Sequence, residues 1–385
     1  MRIAIGMVVR NFLSAYPLTA FLDNAEKYGH CIDRTIVIYS HEIDPVAVRK
    51  LVGRAKLSLI RVHAFEKAER MLKAYGVRRE AIQDLLLCPL ADAHGLVPYG
   101  FNRNHVLMEA LFEAVDVLIF VDSDVKPAVL RRMPDGAVQL QEIDFVGAHL
   151  RGISMGADVT SSEYTGYNIL PPARFGGMVE LLCGLHKEAM ADFWLNSEVH
   201  GGLTVQENDS RMEPTSKVLG GNLGIRVGAL AALPAFFSPY YFYNGTPLLA
   251  RGEDTLWGLA AAQRHVRCLD IHTPIFHDTY GDYPVVPDLC RDAKVRDRLY
   301  YACTGWIGRN VFLRWKLGRL PEEFAQRNQK LSEGAEALHR YVGDDRFLCL
   351  SEIQSAAEAW LPEMAEQYRR SEEAWNEFKE RWFRR

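Results

Sequence analysis

Two hydrophobic rhythms alternate along the first 125 positions. Short aliphatic and β-branched runs at 3–9, 35–39, 57–62 and 117–121 read as strands buried on both faces. Between them, residues 18–28, 45–53, 64–75, 78–87 and 103–114 place apolar side chains at helical spacing. Strands alternating with helices predict βαβ units, a mainly parallel sheet and a nucleotide-type crevice at the carboxyl strand ends. From 143 to 219 the rhythm is irregular. A strand is expected at 145–150, then a Gly-, Ser- and Tyr-rich loop, a partly helical stretch at 178–195 and a polar loop at 201–217. Segments 223–227 and 266–271 read as strands, 229–233 as a short helix, and 255–264 as a helix opened by Gly252-Glu253-Asp254. Beyond about residue 290 the chain is mostly helical, with an aromatic stripe (Trp360, Tyr368, Trp375, Phe378, Trp382) at helical spacing.

The expected architecture is therefore α/β, a Rossmann-like mixed, mainly parallel sheet flanked by helices. The expected boundaries are an α/β region at 1–285, divided near residue 125 into a nucleotide-binding half (1–125) and a less regular half (126–285), followed by a helical region at 286–385. The chain has 385 residues, 48% hydrophobic and 24% charged, enough to bury a sizeable core. A formal net charge of −4 gives no field that would recruit nucleic acid. The first residues, Met-Arg-Ile-Ala-Ile-Gly, fit a first strand and not a signal peptide, and no uncharged apolar run of about 18 residues is present, so no spanning helix is expected. Seven scattered cysteines without a CxxC pair fit reduced thiols and a cytoplasmic location.

The chemistry concentrates where the run at 117–121 stops at Asp122-Ser123-Asp124. Two carboxylates at a strand end repel each other unless a cation lies between them, and Mg²⁺ and Mn²⁺ favour carboxylate oxygens and bridge to phosphates. Asp-Ser-Asp is also ordinary turn chemistry, so its companions matter. Asn102, Arg103 and Asn104 fall at the expected start of a helix, where free N–H groups and a guanidinium suit a diphosphate; a plain Asn cap is the alternative. Gly220-Gly221 lets backbone approach a sugar, or simply makes a turn. Glu253 and Asp254 stand in a first helical turn, as caps or as carboxylates facing a reacting sugar. His277 ends an apolar run and suits a third metal ligand, with Asp278 beside it to orient the ring. The loop 151–177, with Tyr164, Tyr167 and Arg174, suits an acceptor.

This ordered set resembles the GT-A fold, nucleotide-diphospho-sugar glycosyltransferases. Asp254-Thr255-Leu256 with His277-Asp-Thr-Tyr280-Gly281 and the helical tail are locally similar to mannosylglycerate synthases. The resemblance implies a metal-dependent transferase moving a sugar from a UDP- or GDP-linked donor to a hydroxyl acceptor, a glycan or a small molecule. It implies that Asp122, Asp124 and His277 hold Mn²⁺ or Mg²⁺. Val8, Arg10, Asn11, Ser40 and Glu42 would border the nucleoside, with Asn102, Arg103 and Ser123 also on the donor side. Gly221, Glu253 and Asp254 would surround the transferred sugar. The acidic pair favours inversion at the anomeric carbon, whereas the mannosylglycerate-synthase likeness favours retention. A nucleotidyltransferase shares such a sheet and acidic site but usually begins with a Gly-rich phosphate loop, which residues 7–12 lack; a non-catalytic nucleotide-sugar-binding scaffold is the third reading. The aromatic and basic stretch 300–320 fits either a helix packed on the catalytic region or across a homodimer, or peripheral contact with a membrane.

Overall fold

In the computed structural model, which describes residues 1–90, 96–205, 211–318 and 321–384, an eight-stranded sheet runs through the molecule. Its first four strands are β1 (Ile3–Val9), β2 (Arg34–Tyr39), β3 (Lys56–Arg61) and β4 (Val117–Val121). They lie in the order β3-β2-β1-β4 and are parallel throughout. Past β4 come the strands Asn222–Arg226, Val159–Ser161, Cys268–Asp270 and Glu213–Pro214. Asn222–Arg226 runs antiparallel to both of its neighbours, Val159–Ser161 and Cys268–Asp270 pair in parallel, and Glu213–Pro214 closes the edge antiparallel. The fold is mixed α/β with a mainly parallel sheet between helices.

Both faces of the sheet are covered, which explains the unbroken apolar runs. Along β1, Ile3, Ile5, Met7 and Val9 join a core with the helices Tyr16–Lys27 and Phe145–Ser154. Ala4 and Val8 face the opposite core, beneath the helices Arg79–Leu86 and Tyr99–Phe112. Gly6 lets the second of these approach closely, because a Cβ there would stand 2.7 Å from Val106 Cγ1.

Three expectations need correction. Residues 145–150 form no strand; they begin a helix whose N-cap, Asp144, accepts a hydrogen bond from Gly147 N at 2.9 Å. A short apolar run buried on all sides fits either element, and here the cap decides. The helix before β4 begins at Tyr99, so Asn102–Asn104 lie within it and not at its open end. The polar stretch 201–217 contributes the edge strand Glu213–Pro214, while its residues 206–210, like Leu320 and Arg385, lie outside the described residues.

The helical tail shares cores with the rest of the molecule. Ala293–Lys316 and the helices that follow pack around Met178–Gly184 and the hairpin Tyr240–Tyr243/Thr246–Leu249. The last helix, Leu361–Phe383, returns to the sheet, where Trp375 and Phe378 are fully buried beside Leu233 and Trp257. Trp306 and Phe312 are buried (7% and 1% exposed) whereas Tyr301 and Trp315 are exposed (59% and 42%), so the aromatic residues of 300–318 divide between core and surface. No described helix is long and apolar enough to cross one. All seven cysteines are free.

Candidate active site

Backbone pairing assembles the site. The short strand Val125–Lys126, directly after Asp124, pairs antiparallel with Ile275–His277, and the register sets His277 opposite Val125. Asp278 N donates to Asp124 O at 2.8 Å. On the other side of β4, Asn222 pairs with Val121, which brings Gly220-Gly221 up beside Asp122. The antiparallel strand in mid-sheet thus delivers a later loop to the carboxyl end of β4, where the acidic pair emerges.

His277 Nε2 stands 3.2 Å from Asp124 Oδ1. Its Nδ1 lies 3.2 Å from Thr279 Oγ1, and that hydroxyl already donates to Tyr167 O at 2.7 Å. Thr279 therefore accepts from Nδ1–H, which leaves Nε2 facing the carboxylate. Burial pushes the His277 pKa down, but the Asp124 charge and hydrogen bond more than reverse this. Burial likewise opposes ionisation of Asp124, yet His277 and Arg298 hold its pKa below the usual carboxylate value. Arg298 Nη1 is 3.7 Å from Asp124 Oδ2. For Asp122, burial and repulsion by Asp124 outweigh Arg103 and raise the pKa. The two carboxylates are thus driven apart in proton affinity, a pattern common at functional sites.

A carboxylate oxygen beside an imidazole nitrogen whose tautomer is fixed from behind fits a borderline divalent cation. Among the described residues no group of three His, Cys, Asp or Glu side chains forms a metal cage. Asp124 and His277 meet, whereas Asp122 accepts from Arg103 Nη2 at 3.2 Å.

Arg103 departs most from its expected place at a base or diphosphate. Its side chain is 3% exposed and spans the floor of the site, donating to Glu253 Oε1 at 3.1 Å, Gly220 O at 2.8 Å and Asp122 Oδ1. Its guanidinium also lies 5.0 Å from the Phe120 ring centroid and 5.9 Å from that of Phe236. Glu253 is turned inward with it, and burial raises the Glu253 pKa. Asp254 stays in the cleft, accepting from Gly220 N at 2.9 Å and from Thr255 N at 2.7 Å. Gly221 N donates to Tyr164 OH at 2.8 Å, and a Cβ on Gly221 would stand 2.5 Å from Asp122 Oδ2.

The donor-side residues separate into two groups. Val8 is 4% exposed within the core and presents no side chain to a nucleoside, because its position in β1 points towards the helical layer. Arg10, Asn11, Ser40 and Glu42 do converge beyond the ends of β1 and β2. Arg10 O accepts from Ser40 N and His41 N, and Asn11 Oδ1 accepts from Glu42 N at 3.2 Å. Ser40 Oγ is buried without a partner, an orphan polar atom at the mouth of the crevice. Asn102 is buried at 3%, whereas Ser123 is exposed. Asp278 pairs with Lys126 at 3.4 Å, so orienting His277 falls to Thr279, two residues further on. From the loop 151–177, Tyr164 reaches the site, its ring centroid 4.8 Å from that of His277. Tyr167 supplies only its carbonyl, and Arg174 donates to Leu195 O. Thr279 lies in the turn after the strand Ile275–His277, and no local pattern marked it. The cations Lys187, Arg251 and Arg298 carried no local motif.

No family model and no curated protein matches this chain. Among solved structures, glucosyl-3-phosphoglycerate synthase from Mycobacterium tuberculosis, in complex with Mn²⁺, uridine diphosphate and phosphoglyceric acid, is 13% identical. That alignment covers 82% of this chain and 79% of the other, with a TM-score of 0.37. TarS 1–349 of S. aureus is 12% identical over 100% and 92% of the two chains, with a TM-score of 0.38. A mycobacterial protein is 14% identical over 80% and 74%, with a TM-score of 0.36. Likenesses this low transfer neither activity nor residue roles to this chain.

Proposed function

We propose that the protein is a metal-dependent glycosyltransferase that moves a sugar from a nucleoside-diphosphate donor to a hydroxyl acceptor. The observation that supports this best is the joined pair Asp124–His277 at the end of β4, with Thr279 fixing the imidazole from behind. Asp124 and His277 would hold Mn²⁺ or Mg²⁺, which when bound neutralises charge growing on a departing diphosphate. Arg298, beside Asp124 and 39% exposed, is free to meet the same phosphates. The nucleoside would lie over the ends of β1 and β2, where Ser40 Oγ lacks a partner. Gly221, without a Cβ, lets Asp122 and the Tyr164 hydroxyl close on the backbone beside the transferred sugar. Asp254 is the carboxylate on the acceptor side, placed to receive a hydroxyl proton or hold sugar hydroxyls. Arg103 and Glu253 act from below: they hold Asp122, the Gly220 turn and the helix Glu253–Gln263 in one register.

The test is release of nucleoside diphosphate from a panel of UDP- and GDP-sugars with and without Mn²⁺ or Mg²⁺. Metal-dependent release that is lost in Asp124→Asn and His277→Ala supports the reading. Pyrophosphate release would replace it with a nucleotidyltransferase, and tight binding without turnover would leave a nucleotide-sugar-binding scaffold.

A further inference from the structure

The helix Phe145–Ser154 buries a histidine that the candidate site does not use. His149 is 0% exposed, and so are its two side-chain partners, Thr160 and Asn222. Its Nε2 lies 3.1 Å from Asn222 Oδ1, and its Nδ1 lies 2.8 Å from Thr160 Oγ1. The far end of the Asn222 amide donates from Nδ2 to Glu163 O at 3.3 Å and to Thr273 O at 3.2 Å. Carbonyls only accept, so the amide has one possible orientation, with Oδ1 towards the imidazole. Oδ1 only accepts as well, so the proton of His149 sits on Nε2. Burial lowers the His149 pKa to about 4, which keeps the ring neutral. The bare Nδ1 then accepts from the Thr160 hydroxyl. A Cβ on Gly224 would stand 2.7 Å from His149 Nδ1 and 2.4 Å from Thr160 Oγ1, so the chain leaves room for this contact.

The hydrogen bonds thus run in one direction, from Thr160 to His149 to Asn222 to two carbonyls. Burying three polar side chains is costly unless each is paired, and apolar residues would fill the same space. The segments that Asn222 joins give the arrangement its purpose. Asn222 directly follows Gly221. Glu163 directly precedes Tyr164, whose hydroxyl accepts from Gly221 N. Thr273 lies just before the strand Ile275–His277, and Ile275 N donates to the same Glu163 O at 3.1 Å. Ser161 adds a second tie, donating to Asn222 O at 2.9 Å and accepting from Leu219 N at 3.0 Å. One amide therefore clasps the segments that carry Gly221, Tyr164 and His277.

We propose that His149 is a positioning residue: by holding the Asn222 amide in one orientation, it fixes where His277 and Tyr164 stand against Asp124 and the Gly221 turn, and so sets the affinity for a metal-bound nucleoside diphosphate. This rests on the glycosyltransferase reading above. His149 is fully buried and acts only through Asn222. Without a donor at Oδ1 the amide loses the contact that selects its orientation, and its grip on Glu163 O and Thr273 O loosens. Groups behind a metal ligand act in this way, by setting the ligand's direction.

The test measures calorimetric affinity of the full chain for UDP and GDP with Mn²⁺, in the wild type, His149→Leu and His149→Gln. Leucine fills the space without a donor, whereas a glutamine amide can again donate to Asn222 Oδ1. His149→Leu is expected to weaken binding of the accepted nucleotide by about tenfold or more, and His149→Gln to recover most of that loss. Affinity in His149→Leu within about twofold of the wild type overturns the proposal. A loss that glutamine does not recover also overturns it, because packing and not the hydrogen bond would then carry the effect. Should His149→Leu not fold, Thr160→Val, which removes only the donor to Nδ1, takes its place: weaker binding supports the proposal and unchanged binding overturns it. If the wild type binds neither nucleotide, the glycosyltransferase reading fails by itself. The ring nitrogen resonances of His277 in metal-free protein then decide the positioning alone. The Nε2 shift, set by the contact with Asp124, should move in His149→Leu and return in His149→Gln; a shift that stays in place overturns the proposal.

Discussion

At the scale of single residues, the site is defined as much by missing atoms as by charged ones. Gly221 leaves space that Asp122 and the Tyr164 hydroxyl occupy; a Cβ would approach them to 2.5 and 2.7 Å. Its φ needs no glycine, so Gly221→Ala should fold normally yet displace Asp122 or Tyr164. A loss in kcat on the order of a hundredfold, the effect of a roughly 1 Å misplacement, is expected, with an unchanged melting temperature. Unchanged turnover would mean that this contact is irrelevant to the reaction. Lys187 provides a test with a sign in pH. Its folded pKa of about 7 lies below the 10.5 of an unstrained lysine. Folding with the ammonium charged is therefore costliest below pH 7, and the cost shrinks as pH rises towards 10.5. Arg309, Arg251 and Lys217 repel that charge and Asp254 attracts it. Lys187→Met should raise Tm in anion-free buffer by about 2–4 °C for each kcal/mol recovered. The gain should be largest near pH 6 and fade towards pH 10. A gain independent of pH would show that the ammonium is not penalised by its surroundings.

At the scale of elements, the positions of β1–β4 and of the acidic turn were legible, because strands buried on both faces write themselves as apolar runs. The ends of elements were not. The helix before β4 starts at Tyr99, and Arg103 therefore points beneath the site. No local pattern distinguishes a guanidinium that binds substrate from one that ties together Asp122, Glu253 and Gly220 O, since its partners lie 19, 150 and 117 residues away. His277 was legible as a strand-end ligand candidate, but its contact with Asp124 depends on a pairing between two very short strands. The run at 145–150 shows the opposite failure. Its apolar composition suggested a strand, and Asp144 capped a helix instead. The aromatic stripe of the last helix was readable, and its destination can be tested. Trp375 is fully buried and donates from Nε1 to Leu233 O at 2.7 Å. Trp375→Ala should destabilise the chain by about 3–5 kcal/mol in denaturant unfolding. A change below about 1 kcal/mol would show that the last helix docks only loosely.

At the scale of the whole molecule, the mixed sheet explains why one edge holds so much chemistry. Parallel β1, β2 and β4 open their carboxyl ends on one side, and the antiparallel strand Asn222–Arg226 returns the Gly220-Gly221 turn to that same edge. The helix Ala293–Lys316 then lays Arg298 and Arg309 across it from the tail. Arg298 thus reaches Asp124 from the helix that opens the C-terminal helical region.

The most direct measurement is calorimetric binding of UDP and GDP to the full chain, with and without Mn²⁺, in the wild type and in Asp124→Asn. One of the two nucleotides is expected to bind the wild type only when the metal is present, and to bind Asp124→Asn in neither condition. Equal binding with and without Mn²⁺, or binding undiminished in Asp124→Asn, would contradict a diphosphate gripped through Asp124 and His277.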